Sequence, residues 1–128
     1  MIYLDSSVAL AHLLAEDRYP PDTLWHQPLV SSRLLECEVW NRINARRLQD
    51  SHGDAVRGLL DRIAIIEMVP PVLARALKPF PAPVRTLDAI HLAAIEFIRS
   101  QGASVQLASY DERLADVARL LGIAEWNV

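Results

Sequence analysis

Thr86-Leu87-Asp88-Ala89-Ile90-His91-Leu92-Ala93-Ala94-Ile95-Glu96-Phe97-Ile98 decides the fold. Drawn as a helix, this stretch is apolar almost all round, and a helix with so little polar face lies buried in the centre of a molecule. Gly102 is placed to end it. Beyond the glycine, residues 104–109 read as a strand, 111–121 as a helix and 123–126 as a last short strand. On the other side, residues 78–84 carry Pro79, Pro81 and Pro83, which force extended backbone. This proline loop ends just before Asp88 and is placed to wall a site.

Further out, residues 1–5 read as a short buried strand, and Ser6 or Ser7 can cap a helix running to about residue 15. Pro20-Pro21 opens a second short helix, because proline is tolerated in a first turn. Residues 28–31 look like a strand, and Ser32 can cap a long helix reaching about residue 49. In that helix Leu35, Val39, Ile43 and Leu48 approximate one apolar stripe. Gly53 marks a break before a helix over 54–63. Residues 65–69 are rich in β-formers, and Pro70-Pro71 ends them before a helix at 72–77. Strands alternating with helices imply an α/β domain whose mainly parallel sheet is covered on both faces. The length of 128 residues suits one domain spanning 1–128.

Composition narrows the class. Hydrophobic content is 52% and aromatic content only 6%, so the core is built from aliphatic side chains. No run approaches the roughly 20 apolar residues of a membrane span. The first ten residues hold no Lys or Arg, so a signal peptide is not expected. The single Cys37 cannot make an internal disulfide, which fits a reducing cytoplasm. Net charge is −3, against an all-basic RNA-coating surface. Twelve of the 13 basic residues are arginines, and Arg42, Arg46 and Arg47 cluster on one helix, where they can grip phosphates or simply meet water.

The acids carry the chemistry. Asp5 closes the opening strand, Glu38 lies in the first turns of the helix after Ser32, Asp88 enters the buried helix, and Asp111 follows the strand at 104–109. In doubly wound sheets, ligands bind beyond the carboxyl ends of the strands, near the point where strand order reverses. All four acids fall at that edge. Carboxylates brought together in apolar surroundings repel and resist ionising unless a cation sits among them. The donors are hard oxygens, which suits a hard metal ion. No His or Cys pair has the ligand spacing of a zinc site.

Four segments resemble PIN-domain ribonucleases: Ile2-Tyr3-Leu4-Asp5-Ser6-Ser7-Val8; Val30-Ser31-Ser32-x-Leu34-Leu35-x-x-Glu38-Val39; Arg85-Thr86-Leu87-Asp88-Ala89-Ile90-His91-Leu92-Ala93; and Ser109-Tyr110-Asp111-x-Arg113-Leu114. Their order, their spacing and the small size of the chain are similar to VapC-type toxins of bacterial toxin–antitoxin pairs. The resemblance implies a three-layer α/β/α sandwich around a sheet of four to five strands. It also implies that Asp5, Glu38, Asp88 and Asp111 form an acidic quartet holding Mg²⁺, with Mn²⁺ as a substitute, for hydrolysis of RNA phosphodiesters. Glu36 is nearby, but the register of the second segment selects Glu38. Ser7, Arg85 and Asp116 are accessory candidates: Ser7 to orient a carboxylate or cap a helix, Arg85 to meet a phosphate, Asp116 as a fifth acid. His91 reads as a core histidine with satisfied hydrogen bonds. The same resemblance implies a cognate antitoxin and a symmetric homodimer; Trp25 and Trp40 read either as exposed contacts for that dimer or as core residues. A receiver-type phosphoacceptor would need an acidic pair after the first strand and a late lysine, and Lys78 is the only lysine. A haloacid-dehalogenase phosphatase would want an Asp where Ser7 stands. The remaining alternative is a catalytically silent PIN-like module that binds RNA or a partner.

Overall fold

The computed structural model describes residues Met1–Val128. Its strands are β1 (Ile2–Leu4), β2 (Leu29–Ser32), β3 (Ile63–Ile66), β4 (Gln106–Ala108) and β5 (Ala124–Glu125). Its helices are α1 (Ser6–Leu13), α2 (Arg33–Ala45), α3 (Gln49–Leu60), α4 (Pro70–Ala76), α5 (Thr86–Ser100) and α6 (Glu112–Leu120), with a 3₁₀ turn at Asp22–His26. The strands form one fully parallel sheet in the order β3-β2-β1-β4-β5. Tyr3 pairs in register with Val30 on one side and Leu107 on the other, so β1 is the central strand.

Strand alternation divides the core into two layers. Ile2, Leu4, Leu29, Ile63 and Ala108 face α1, α2 and α3, where Val8, Leu35, Val39, Ile43, Val56 and Leu59 meet them. Tyr3, Val30 and Leu107 face the opposite way, onto Leu92, Ile95 and Ile98 of α5, Val72 of α4 and Leu114 and Val117 of α6. The expected three-layer α/β/α sandwich is therefore the observed one, and α5 is its most buried helix. Full burial of each large aliphatic side chain contributes about 1.5–3 kcal/mol, so the α5 face anchors that layer.

Four helices end in the same way. Ala15, Arg47, Gly102 and Gly122 each adopt a left-handed conformation, with φ of 49°, 55°, 87° and 74°. After α2, Arg47 N–H donates to Asn44 O and Leu48 N–H to Ile43 O, both at 3.0 Å, which is the Schellman arrangement. This corrects the expected long helix to about residue 49: α2 stops at Ala45 and α3 begins at Gln49. Leu48 lies five residues after Ile43 rather than four. It reaches the core because the chain turns there, not because the stripe continues. Gly53, expected as the break, is instead buried within α3.

Smaller corrections have equally local causes. β3 lies two to three residues earlier than expected, because Pro70 and Pro71 form the first turn of α4 instead of merely stopping a strand. The segment after Pro20-Pro21 winds as 3₁₀ rather than α. Asp5, not Ser6 or Ser7, occupies the N-cap of α1. Trp25 and Trp40 are half-buried and pack on the α1–α3 layer instead of standing free. The Nε1 of Trp25 is buried against His12, whose ring centroid lies 4.5 Å away.

Candidate active site

Strand order reverses between β1 and β4, and the first residues beyond these two strands build the floor of a pocket. Asp5 follows β1 and is only 5% exposed. Its Oδ2 accepts hydrogen bonds from Ser7 Oγ at 2.6 Å, Ser109 Oγ at 2.8 Å and, more weakly, Ser7 N–H at 3.4 Å. Ser7 reaches across to the β4 side, where its Oγ accepts from Tyr110 N–H, and Ser109 Oγ, already on that side, accepts from Asp111 N–H, each at 2.9 Å. Two hydroxyls thus fasten one carboxylate to both strand ends. Asp111 caps α6, with Oδ1 accepting from Arg113 N–H at 3.0 Å and Leu114 N–H at 3.3 Å.

The other two acids come from helices. Asp88 sits half-buried in the first turn of α5. Burial raises its pKa, and the charges of Asp111 and Asp5 add to that, against opposition from His91 and Arg85. Glu38 of α2 is held from beneath. His91, 1% exposed, meets Glu38 Oε1 through Nε2 at 2.5 Å and the Tyr3 hydroxyl through Nδ1 at 2.7 Å. Burial works against the imidazolium, but the hydrogen bond and charge of Glu38, with Asp5 and Asp88 behind, outweigh it and raise the His91 pKa. Burial also pushes the Tyr3 hydroxyl well up, so it stays protonated. A chain of contacts therefore runs from β1 through α5 to α2, linking the three elements that supply Asp5, Asp88 and Glu38.

Asp5, Glu38, Asp88 and Asp111 all line one pocket of about 610 Å³. Ser7 and Arg85 line it too. Glu36 does not: about 200° round the helix from Glu38, it pairs with Arg33 at 3.2 Å. Asp116 is also elsewhere, in a neighbouring cleft and paired with Arg119 at 2.9 Å. Sequence reasoning missed Glu16, Asp17 and Arg18, which line the pocket from the loop after α1, Tyr110, which lines it from the β4 end, and Ser109, which bonds Asp5 from beside it. The loop offers no motif, whereas Ser109 and Tyr110 were within the segment that pointed to Asp111. Arg42, one turn along α2 from Glu38, completes the rim.

The donor set is hard: carboxylates and hydroxyls, with His91 Nε2 already committed to Glu38. No three His, Cys, Asp or Glu side chains converge closely enough to form a ready-made cage. What the residues do provide is crowded negative charge, seen in the influence of Asp111 and Asp5 on Asp88. A small, oxygen-seeking cation that keeps some of its own waters fits such a set.

A family model for the PIN domain matches residues 2–120. The chain belongs to the PIN domain family. Among its PIN relatives is Ribonuclease VapC47 of Mycobacterium tuberculosis (strain CDC 1551 / Oshkosh), 32% identical over 95% of this chain and 93% of the relative. Ribonuclease VapC46 of Mycobacterium tuberculosis (strain ATCC 25618 / H37Rv) is 33% identical over 96% and 94%. The crystal structure of Mycobacterium tuberculosis VapC20, a sarcin-ricin loop cleaving toxin, superposes over the whole of both chains with a TM-score of 0.72. At 16% identity that likeness is one of fold. The sequence-based recognition of a VapC-type PIN chain is borne out.

Proposed function

We propose that this PIN chain is a divalent-metal-dependent endoribonuclease and the toxin of a toxin–antitoxin pair, with residues 1–128 as one nuclease domain. The observation that carries the reading is the convergence of Asp5, Glu38, Asp88 and Asp111 on one pocket at the β1–β4 switch point. The names of the VapC relatives support the same activity. Asp5, Asp88, Asp111 and Glu38 would hold Mg²⁺, or Mn²⁺ in its place. Bound there, the ion lowers the pKa of water and offsets negative charge on a phosphodiester undergoing in-line displacement. The protein's own part is to fix the acids before substrate arrives. Ser7 and Ser109 lock Asp5, the α6 N–H groups lock Asp111, and His91 locks Glu38. Arg85, beside Asp88 and in no ion pair, is positioned to meet a substrate phosphate. Asp116, which lines the neighbouring cleft and pairs with Arg119, is left out of the proposed metal set.

A free ribonuclease would be toxic to a cytoplasm, so the reading includes a cognate antitoxin that covers the pocket and offers it an Arg or Lys. It also includes a homodimer, which we assign to the proline-loop face and not to the tryptophans. Leu73 and Leu77, 41% and 88% exposed, line an apolar groove with Phe80 and the prolines of the loop, the kind of surface that subunits cover. No helix is long and apolar enough to cross a membrane.

RNA cleavage by the purified chain tests the reading. Wild type should cleave with Mg²⁺ or Mn²⁺ and stop on chelation, and Asp5→Asn and Asp88→Asn should each lose roughly a hundredfold or more. Full activity in both variants would overturn the site. Absence of cleavage by wild type with either ion would leave the chain as a silent RNA- or partner-binding module.

A further inference from the structure

Arg18 and Tyr110 occupy a crossroads. Both line the acidic pocket, both line a second cleft of about 500 Å³ walled by α6 and β5, and both line a third hollow of about 330 Å³ with Tyr19 and Val128. A polymer leaving the acidic pocket on this side has to pass over them. We propose that Arg18 and Tyr110 form a nucleotide subsite next to the cleavage centre, with Arg18 taking a backbone phosphate and the second cleft taking the adjoining base. The proposal rests on the ribonuclease reading.

The pair is built to stay in place. Arg18 Nη1 donates to Tyr110 O at 3.1 Å, and its guanidinium carbon lies 5.5 Å from the Tyr110 ring centroid. Tyr110 N–H is tied to Ser7 Oγ, the same hydroxyl that holds Asp5. The platform is therefore fixed relative to the acids. Arg18 makes no ion pair, so most of its donors are free for a phosphate. Arg119, on the far wall of the second cleft, is different: Asp116 and Glu125 take it at 2.9 and 3.0 Å.

Charge decides what enters the cleft. Glu112, Asp116 and Glu125 line it, and Arg119 answers only two of them. A phosphate would be repelled from its interior and held at Arg18. A neutral base is welcome, since half-buried Trp126 and Tyr110 offer aromatic surface for stacking. Glu112, which has no ion pair, accepts hydrogen bonds and donates none. Uracil's N3–H is flanked by two carbonyl oxygens that a carboxylate repels, so Glu112 favours a base bearing an exocyclic amine.

Two measurements on the full chain test this. The first is cleavage kinetics on a short RNA pool of random sequence, with the cut ends sequenced. The second is fluorescence anisotropy of the same labelled pool without metal. Tyr110→Leu and Arg18→Ala should each raise KM about tenfold with most of the loss in KM rather than kcat. They should also weaken binding and flatten the base preference at one position beside the cut. Tyr110→Phe should restore KM, because the ring and not the hydroxyl stacks. Glu112→Gln should keep KM but admit uracil. Arg57→Ala, an exposed arginine of α3 that lines none of the three hollows, is the control. Unchanged KM, binding and base preference in Tyr110→Leu would overturn the subsite while leaving the ribonuclease reading intact, and would open the cleft to a protein partner instead. If wild type cleaves nothing, that reading fails, and the anisotropy arm still decides whether Tyr110 and Arg18 hold RNA.

Discussion

Asp5 and His91 are buried side chains that take a charge near neutral pH, and the ways in which their burial is compensated differ. Asp5 depends on hydroxyl donors, so Asp5→Asn keeps a carbonyl for the serines and should abolish cleavage with little change in stability. Asp88 is not bonded in that way, and its carboxylate is resisted by burial and by Asp111 and Asp5. Asp88→Asn should therefore raise the thermal midpoint of the metal-free protein while abolishing cleavage; a lowered midpoint would contradict the crowding of charge. His91 depends on two partners at once. Tyr3→Phe leaves its Nδ1 facing apolar surroundings, and an unsatisfied buried group costs about 1–3 kcal/mol, which urea unfolding would measure. Glu38→Gln should be inactive and Glu36→Gln active. The reverse would mean that the exposed Arg33–Glu36 pair, not the His91-anchored glutamate, marks the working face of α2.

Among the elements, the helix ends carry the lesson. Gly102 and Gly122 announce their turns because glycine adopts positive φ without a side-chain clash. Arg47 adopts the same conformation at φ 55° and announces nothing. A left-handed non-glycine residue costs about 1–2 kcal/mol, whereas the added freedom of an unfolded glycine costs about 0.4–1 kcal/mol. Arg47→Gly should thus stabilise the fold by roughly 0.5–1 kcal/mol, read as a shift in urea midpoint at constant slope. No shift would mean that the guanidinium contributes something its exposure hides. The same contrast explains what sequence could and could not tell. Sheet class, the buried α5 and the placement of all four acids at one edge were legible, because burial patterns and strand-end positions are local. The α2–α3 break was not, since tertiary packing of Leu48 overrides the apparent stripe. The tie between His91 and Glu38 was not legible either. It joins residues 53 apart and exists only because α2 and α5 meet across the end of β1.

For the whole molecule, the pocket is a store of like charge that a bound ion should relieve. Mg²⁺ at saturating concentration should raise the melting temperature of wild type through preferential binding to the folded state, and raise that of Asp88→Asn far less. Equal shifts would place the ion elsewhere. Sedimentation at tens of micromolar should show a dimer if the groove of Leu73, Leu77 and the proline loop is covered by a second copy. An interface of about −8 kcal/mol persists at that concentration, and a monomer would count against it. The sheet order has a consequence in time. Paired residues of β1 and β4 lie 104 apart in sequence, and the Ser7–Tyr110 bond spans 103 residues. At roughly 5–20 residues per second, a ribosome needs several seconds to more than ten to make the stretch between them. Throughout that interval Asp5 has no Ser109 and no Asp111 beside it. A chain interrupted before Tyr110 is a fragment without a pocket, so translation itself delays the moment at which the molecule can act on anything.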